Sequence, residues 1–253
     1  MININNISFS YHEEAFIQDL SVTFPEGQIT SIIGPNGSGK STLLMLICRI
    51  LQLSKGQITL DNRNIKEISH KDYAKKIAVV HQKNSIDQDL DVETLVGYGR
   101  LPYLGYFEQL SSQDHEIIDW AIEVTGLNEF RKRNYSELSG GQQQRVWIAL
   151  ALAQKTPILL LDEPTTYLDI KYQIEILELI QKINQDYQMT IIMVHHDINQ
   201  AIHFSHHIVA LKKGIKVFDG KSQDLLDQDK LQEIYDDDFT IIHHHNHHIA
   251  LNY

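Results

Sequence analysis

The chain has a single cysteine, Cys48, among its 253 residues, which excludes an intrachain disulfide. Cys48 lies in an apolar helical stretch, residues 43–51, where a small buried hydrophobe is expected rather than a reactive thiol. Long hydrophobic runs are also missing. No apolar segment approaches the ~18 residues a membrane-spanning helix needs. The first eleven residues lack the basic and apolar regions of a secretory signal, so none is expected. Basic charge is scarce: 22 Lys and Arg face 33 Asp and Glu, for a net charge of −11. Nucleic-acid binders carry a basic excess or stripe, and its absence argues against DNA or RNA as a main partner. Any work at a membrane would need another chain to supply the membrane part. The length suffices to bury a large core without disulfide or metal staples.

Residues 2–9, 20–24 and 29–33 read as strands, with Pro25-Glu26-Gly27 as a hairpin turn between the last two. A helix is expected from about Lys40 to Leu51, then strands at 57–60 and 77–80. Beyond Ser85 the pattern turns helical, at 94–98, 112–125 and 142–153. Ile117, Ile118, Ala121, Ile122 and Val124 carry the helical period. Residues 158–161 and 190–194 are unbroken apolar runs of strand length, as expected of parallel strands covered on both faces. A helix over 171–184 between them makes a βαβ unit.

Residues 34–42 read G-P-N-G-S-G-K-S-T and sit between a strand and a helix. That is the setting a phosphate-binding G-x-x-x-x-G-K-[ST] loop requires. Four fixed positions match by accident in roughly one chain of this length in a hundred, and the strand–loop–helix context makes accident rarer still. Gly34, Pro35, Asn36, Gly37, Ser38 and Gly39 form the curl whose amides face phosphate. Lys40 is expected at the β- and γ-phosphates, the Ser41 hydroxyl on Mg²⁺, and Thr42 near phosphate.

The apolar run 158–161 ends in Asp162-Glu163. Ligands bind at the carboxyl ends of strands in open α/β sheets. Asp162 suits Mg²⁺ coordination through water. Glu163, placed on the other side of the strand by alternation, suits a general base toward an attacking water. The bland alternative is a solvated strand end before Pro164.

Leu138-Ser139-Gly140-Gly141-Gln142-Gln143-Gln144-Arg145 lies about 20 residues before that strand and resembles the signature sequence of ATP-binding-cassette (ABC) ATPases. The resemblance runs over residues 1 to 230. It implies an α/β fold: a P-loop NTPase cassette with a mixed, mainly parallel sheet, an antiparallel N-terminal β part and an inserted helical subdomain. Its domains would be 1–86 (core with the P-loop), 87–154 (helical, with the signature), 155–230 (core with the acidic pair) and 231–253 (tail). It also implies ATP and Mg²⁺ as ligands and a head-to-tail homodimer in which Ser139, Gly140, Gly141 and Gln142 close over the partner's ATP. By the same resemblance Gln82 senses Mg²⁺ and the attacking water, and Asp169 lies in the dimer-contacting loop. Tyr11 stacks on adenine, or is only a surface tyrosine at a strand end. In His195-His196-Asp197, the residue directly before Asp is the switch histidine, so His196 is expected at the γ-phosphate and His195 takes the preceding, usually apolar, position.

Tyr98-Gly99-Arg100-Leu101-Pro102-Tyr103-Leu104-Gly105-Tyr106-Phe107 is similar to a stretch in ATPases of iron(III)-siderophore, haem and cobalamin importers. This implies an ATP-hydrolysing motor for an importer, at the cytoplasmic face of the membrane, with iron-siderophore the favoured cargo and haem or cobalamin the alternative. The partners would be a permease, docking its coupling helices on residues 86–107, and, indirectly, an extracytoplasmic binding protein. Those aromatics could instead simply pack the insert. A soluble ABC protein acting on ribosomes or DNA would carry two cassettes or a long coiled coil, and neither is present. The tract 243–248, H-H-H-N-H-H, reads as a solvated hairpin turn between 239–242 and 249–251, or as a transition-metal site.

Overall fold

The structure, a computed structural model, describes all residues except 13, 83, 85, 87–89, 106, 245, 246 and 253, and only the backbone of residues 243, 244, 247 and 248. It divides into two compact units: Met1–Ile68 with Thr190–Tyr253, and Ser69–Met189.

The first unit opens with β1 (Ile2–Phe9), β2 (Ile17–Phe24), β3 (Ile29–Ile33), α1 (Lys40–Ile47), β4 (Lys55–Leu60) and β5 (Arg63–Asn64). β1 and β2 bury alternate residues, such as Ile2, Ile4, Ile7, Leu20 and Val22, as half-covered antiparallel strands do. They form a sheet in the order β2-β1-β4-β5. β3 is different: all five residues are buried. It joins a separate parallel pairing with β8, so Pro25-Glu26-Gly27 links two sheets and is not a hairpin turn. Gly27, at φ 67, turns the chain out of the first sheet. α1 also stops earlier than the apolar pattern suggests, because Arg49 takes a left-handed φ of 62 just past the Cys48 cap.

The second unit contains α2 (His70–Ala74), β6 (Ile77–Val80), α3 (Val92–Gly97), α4 (Ser112–Val124), α5 (Gly140–Ala153), β7 (Ile158–Asp162) and α6 (Ile170–Tyr187). β6 and β7 pair in parallel. α4 starts on a capping box in which Ser111 and Asp114 satisfy each other's backbone N–H, and it buries Ile118, Ala121 and Ile122. α6 buries Ile176, Leu177, Ile180 and Ile183 on one stripe.

The chain then returns to the first unit as β8 (Thr190–Val194), α7 (Ile198–Phe204), β9 (His207–Lys212), β10 (Ile215–Lys221), α8 (Gln228–Tyr235), β11 (Phe239–His244) and β12 (His247–Asn252). Within this unit the strands run β10-β9-β3-β8, parallel except for the β9–β10 hairpin. β11 and β12 form an antiparallel hairpin, with His243 opposite His248 and His244 opposite His247. Its turn, residues 245–246, lies outside the described residues. Among the described residues, no helix is long and apolar enough to cross a membrane, and no cluster of His, Cys, Asp and Glu could hold a metal ion.

One buried ion pair ties the helical part of the second unit together. The 3-10 turn Tyr98–Tyr103 carries Arg100, which is 5% exposed. Its Nε donates to Asp114 Oδ1 at 2.8 Å and its Nη1 to the Ala153 carbonyl at 2.9 Å. The guanidinium also lies 3.9 Å from the Tyr103 ring centroid. Gly99 lets this turn press onto α5: a Cβ there would stand 2.3 Å from the Leu150 carbonyl oxygen. The Ser111 hydroxyl and the Arg100 guanidinium hold the Asp114 carboxyl down at about 2. Its folded pKa is below its ordinary value of 3.8, so its stabilisation is complete above about pH 4 and is lost as pH falls toward 2. Replacing Arg100 by Ala leaves a buried carboxylate without its cation. We expect a loss of about 3 kcal/mol at neutral pH and a shallower acid limb between pH 4 and 2, both measured by urea unfolding at stepped pH.

Candidate functional site

β3 delivers the chain into residues 34–42, where three glycines take left-handed φ values: Gly34 at 139, Gly37 at 76 and Gly39 at 106. At Gly34 a side chain is also excluded by space, since a Cβ would sit 2.0 Å from the Leu211 carbonyl oxygen. The curl turns the Lys40 side chain back over the loop. Its Nζ donates to the carbonyls of Gly34 at 2.8 Å and Pro35 at 3.0 Å, and Lys40 is 5% exposed. Ser38 Oγ is buried without a hydrogen-bond partner among the described residues. A buried ammonium, an orphaned hydroxyl and the start of α1 together fit a phosphate chain. Pro35, Asn36 and Gly37 lie toward solvent, while Ser41 and Thr42 follow Lys40 on α1.

Tyr11 stands beside this loop. Its hydroxyl and that of Thr42 are 2.9 Å apart. Its ring meets Phe9 and Phe16 edge-on, at 4.7 and 5.3 Å between centroids. Half of Tyr11 remains exposed, over an open recess of about 590 Å³ that Phe16 and Ala15 also line. This apolar ledge next to a phosphate loop suits a nucleobase. Phe16 escaped the sequence reading because nothing local marks it.

β3 and β8 pair in parallel with Ile32 opposite Val194. The pairing ends there, and Gly34 and His196 each follow two residues further along their own segments. The two adjacent histidines have opposite environments. His195 is 2% exposed, with Nε2 3.2 Å from Met193 Sδ, and burial, with the nearby His196, pushes its pKa down to about 4. It is therefore neutral at physiological pH. His196 is exposed and borders a polar recess of about 330 Å³.

The second unit repeats this device. β6 and β7 pair with Val80 opposite Leu161, and two residues on the offset meets at Gln82 and Glu163. Gln82 Nε2 donates to Glu163 Oε2, and Thr166 Oγ1 donates to the same oxygen at 3.0 Å. β7 ends at Asp162. Glu163 is therefore not placed by strand alternation: it takes a left-handed φ of 51 just beyond the strand. It is 9% exposed, so its acceptor oxygen is aimed by two donors in a largely dry setting. Thr166 was missed because it reads as an ordinary loop threonine. Within the second unit Asp162 and Gln82 offer carboxylate and amide oxygens, hard donors of the kind Mg²⁺ takes.

Ser139 caps α5: its Oγ accepts from Gln142 N at 3.4 Å, and Ser139 N donates to Gln142 Oε1 at 3.0 Å. The Gln142 side chain is thus occupied in the cap. Ser139 and Gly140 are exposed, whereas Gly141 is buried against the Tyr172 ring. A Cβ at Gly141 would stand 3.1 Å from that ring, so glycine allows α6 to pack close behind the exposed helix start. Arg145 anchors the same helix, donating to the Thr125 carbonyl at 3.2 Å and pairing with Glu175 at 3.1 Å. Gln82, Gly140 and Leu168 line one polar recess of about 250 Å³. Asp169 is exposed at the N-cap position of α6.

Comparison with known proteins places this geometry. The ABC transporter family profile matches residues 17–166. The chain is 43% identical over 241 residues to the iron(3+)-hydroxamate import ATP-binding protein of Bacillus subtilis (strain 168), covering 95% of this chain and 90% of that protein. It is 43% identical over 235 residues to a petrobactin import ATP-binding protein of Bacillus anthracis, covering 93% and 86%. Among solved structures it resembles a dimeric ATP-binding cassette in a post-hydrolysis state bound to ADP and Pi, with a TM-score of 0.73, 32% identity, and 88% and 99% of the two chains covered. With the phosphate loop, the capped glycine helix and the paired Gln82 and Glu163 in place, the chain belongs to the ABC transporter family.

Proposed function

We propose that this chain is the ATP-hydrolysing subunit of an importer for iron(III)-siderophore complexes. Two copies work head to tail against a separate permease at the cytoplasmic face of the membrane. The observation that carries the catalytic reading is the pair of donors, Gln82 and Thr166, converging on one oxygen of Glu163. The cargo reading rests on the names of the relatives, which are siderophore importers. Those two name different siderophores at equal identity, which accords with a subunit that drives transport without touching the cargo.

Residues 34–42 hold the triphosphate, Lys40 neutralises the β- and γ-phosphates, and Tyr11 and Phe16 support the base. Ser41, Gln82 and Asp162 would hold Mg²⁺, which when bound would supply positive charge to the phosphate oxygens. Glu163 accepts a proton from water as the water oxygen bonds to the γ-phosphorus. The bond from that phosphorus to the bridging oxygen breaks, and ADP carries away its electron pair. Gln82 keeps the carboxylate oriented, and the exposed His196 donates a hydrogen bond to the γ-phosphate. Ser139 brings its hydroxyl and Gly140 its backbone amide to the partner copy's nucleotide, so ATP joins the two copies and hydrolysis releases them.

Force leaves through the helical part of the second unit. Tyr98, Leu101, Leu104, Leu110 and Ile118 help line an open groove of about 540 Å³, and Phe107 beside it is 98% exposed. An apolar groove of this size supports the docking of a permease coupling helix. The binding protein delivers cargo to the permease from the other side.

Replacing Glu163 by Gln keeps the shape and both neighbours but removes the base. We expect ATP turnover to fall by at least about a hundredfold, with ATP shifting the chain to a dimer in size-exclusion chromatography. Turnover within a few-fold of wild type would contradict the assignment.

A further inference from the structure

α7 has seven residues, too few to be stable through its own hydrogen bonds, so its position is set by what it packs on. It starts directly behind His196, with Asp197 as its cap: Asp197 Oδ1 accepts from Gln200 N at 2.9 Å. Its second residue, Asn199, reaches the C-terminal hairpin 51 residues away. Asn199 Nδ2 donates to the Ala250 carbonyl at 3.1 Å, and Ala250 N donates to Asn199 Oδ1 at 2.8 Å. The side-chain amide thus pairs with β12 as a neighbouring strand would. Ala250 stands opposite Ile241 in the hairpin, yet both of its backbone groups go to Asn199. They lie on the outer edge of β12, which this single side chain covers.

The packing agrees. Ala250 is 5% exposed and shares one apolar cluster with Ala201 of α7, Leu231 and Ile234 of α8, and Ile33, the residue before the phosphate loop. Above that cluster lies the polar recess bordered by His196, Asp197, Asn199, Tyr235 and Asn252. Ile198, the first residue of α7, also borders this recess and packs on the cluster, a contact that holds the helix down without the direction of a hydrogen bond. Tyr235 Oη is buried there, close to the Gly34 backbone and Asp197, without a well-formed hydrogen bond among the described residues. The two-pronged Asn199–Ala250 clip adds a directional restraint to that packing at this end of α7.

We propose that Asn199 is a positioning residue: by clipping α7 to β12 it makes the C-terminal hairpin set where the His196 imidazole stands. This rests on the reading of His196 as a γ-phosphate contact. Replacing Asn199 by Ala in the full chain should lower kcat for ATP about ten- to a hundredfold, the scale of a small misplacement of a reacting group, with KM for ATP within about twofold. In a chain already carrying His196→Ala, the same change should lower the residual single-turnover rate no further, because its effect runs through the missing imidazole. Ala250→Pro removes one prong of the clip while leaving Asn199 in place, and should reproduce the kcat loss in part. A purely structural role would instead lower the rate equally in both backgrounds and track the loss of thermal stability. That result, or an unchanged kcat for Asn199→Ala, overturns the proposal. Failure of the functional reading is seen separately, as absence of ATP turnover in the unaltered chain.

Discussion

Parallel pairing in a fixed register is the constraint on which the rest of this molecule depends. In a parallel pair both strands end on the same side, so residues at equal offsets beyond the last pair emerge together. Val80 opposite Leu161 brings out Gln82 with Glu163, which hydrogen-bond, and Ile32 opposite Val194 starts the phosphate loop and the His195-His196 segment from one sheet edge. A slip of one residue in either pair would separate these partners and turn the strand's side chains to the opposite faces. The buried strands resist such a slip: every residue of β3 and of β8 is enclosed, so no shifted register leaves the core filled.

Around those strand ends, local devices give each group its aim. Left-handed glycines curl the phosphate loop and fold Lys40 back on it. Gln82 and Thr166 hold Glu163 from two directions. Ser139 and Gln142 cap a helix whose start stays exposed while Tyr172 packs behind it. The Arg100–Asp114 pair belongs to the same logic at longer range. It joins the 3-10 turn, α4 and α5, and so stiffens the part of the second unit that carries the apolar groove.

Much of this was legible in the sequence because its signals are local. Apolar runs of strand length mark doubly covered strands, and β7 and β8 lie where the runs at 158–161 and 190–194 do. The motif residues from Gly34 to Thr42 and from Ser139 to Gln142 carry their own turn and cap chemistry. What escaped was choice of partner. Pro25-Glu26-Gly27 has the composition of a hairpin turn, but β3 pairs with β8 and β9, the nearer of them 162 residues on (Ile29 opposite Ile191), so the turn joins two sheets. Glu163 was expected on a strand and sits beyond one, since its left-handed backbone reflects the packing of the loop that follows. Phe16 gave no signal, and Thr166 and Asn199 stand in motif stretches without a role of their own to read, because each matters only through a contact that folding creates.

As the ATPase of a siderophore importer, this chain would power one route of iron entry. The most direct test is uptake of radiolabelled iron, supplied on a panel of siderophores, in the source cells with Lys40→Ala in this gene. Uptake from at least one siderophore should be lost while growth on unchelated iron continues. Wild-type uptake from every siderophore on the panel would contradict it.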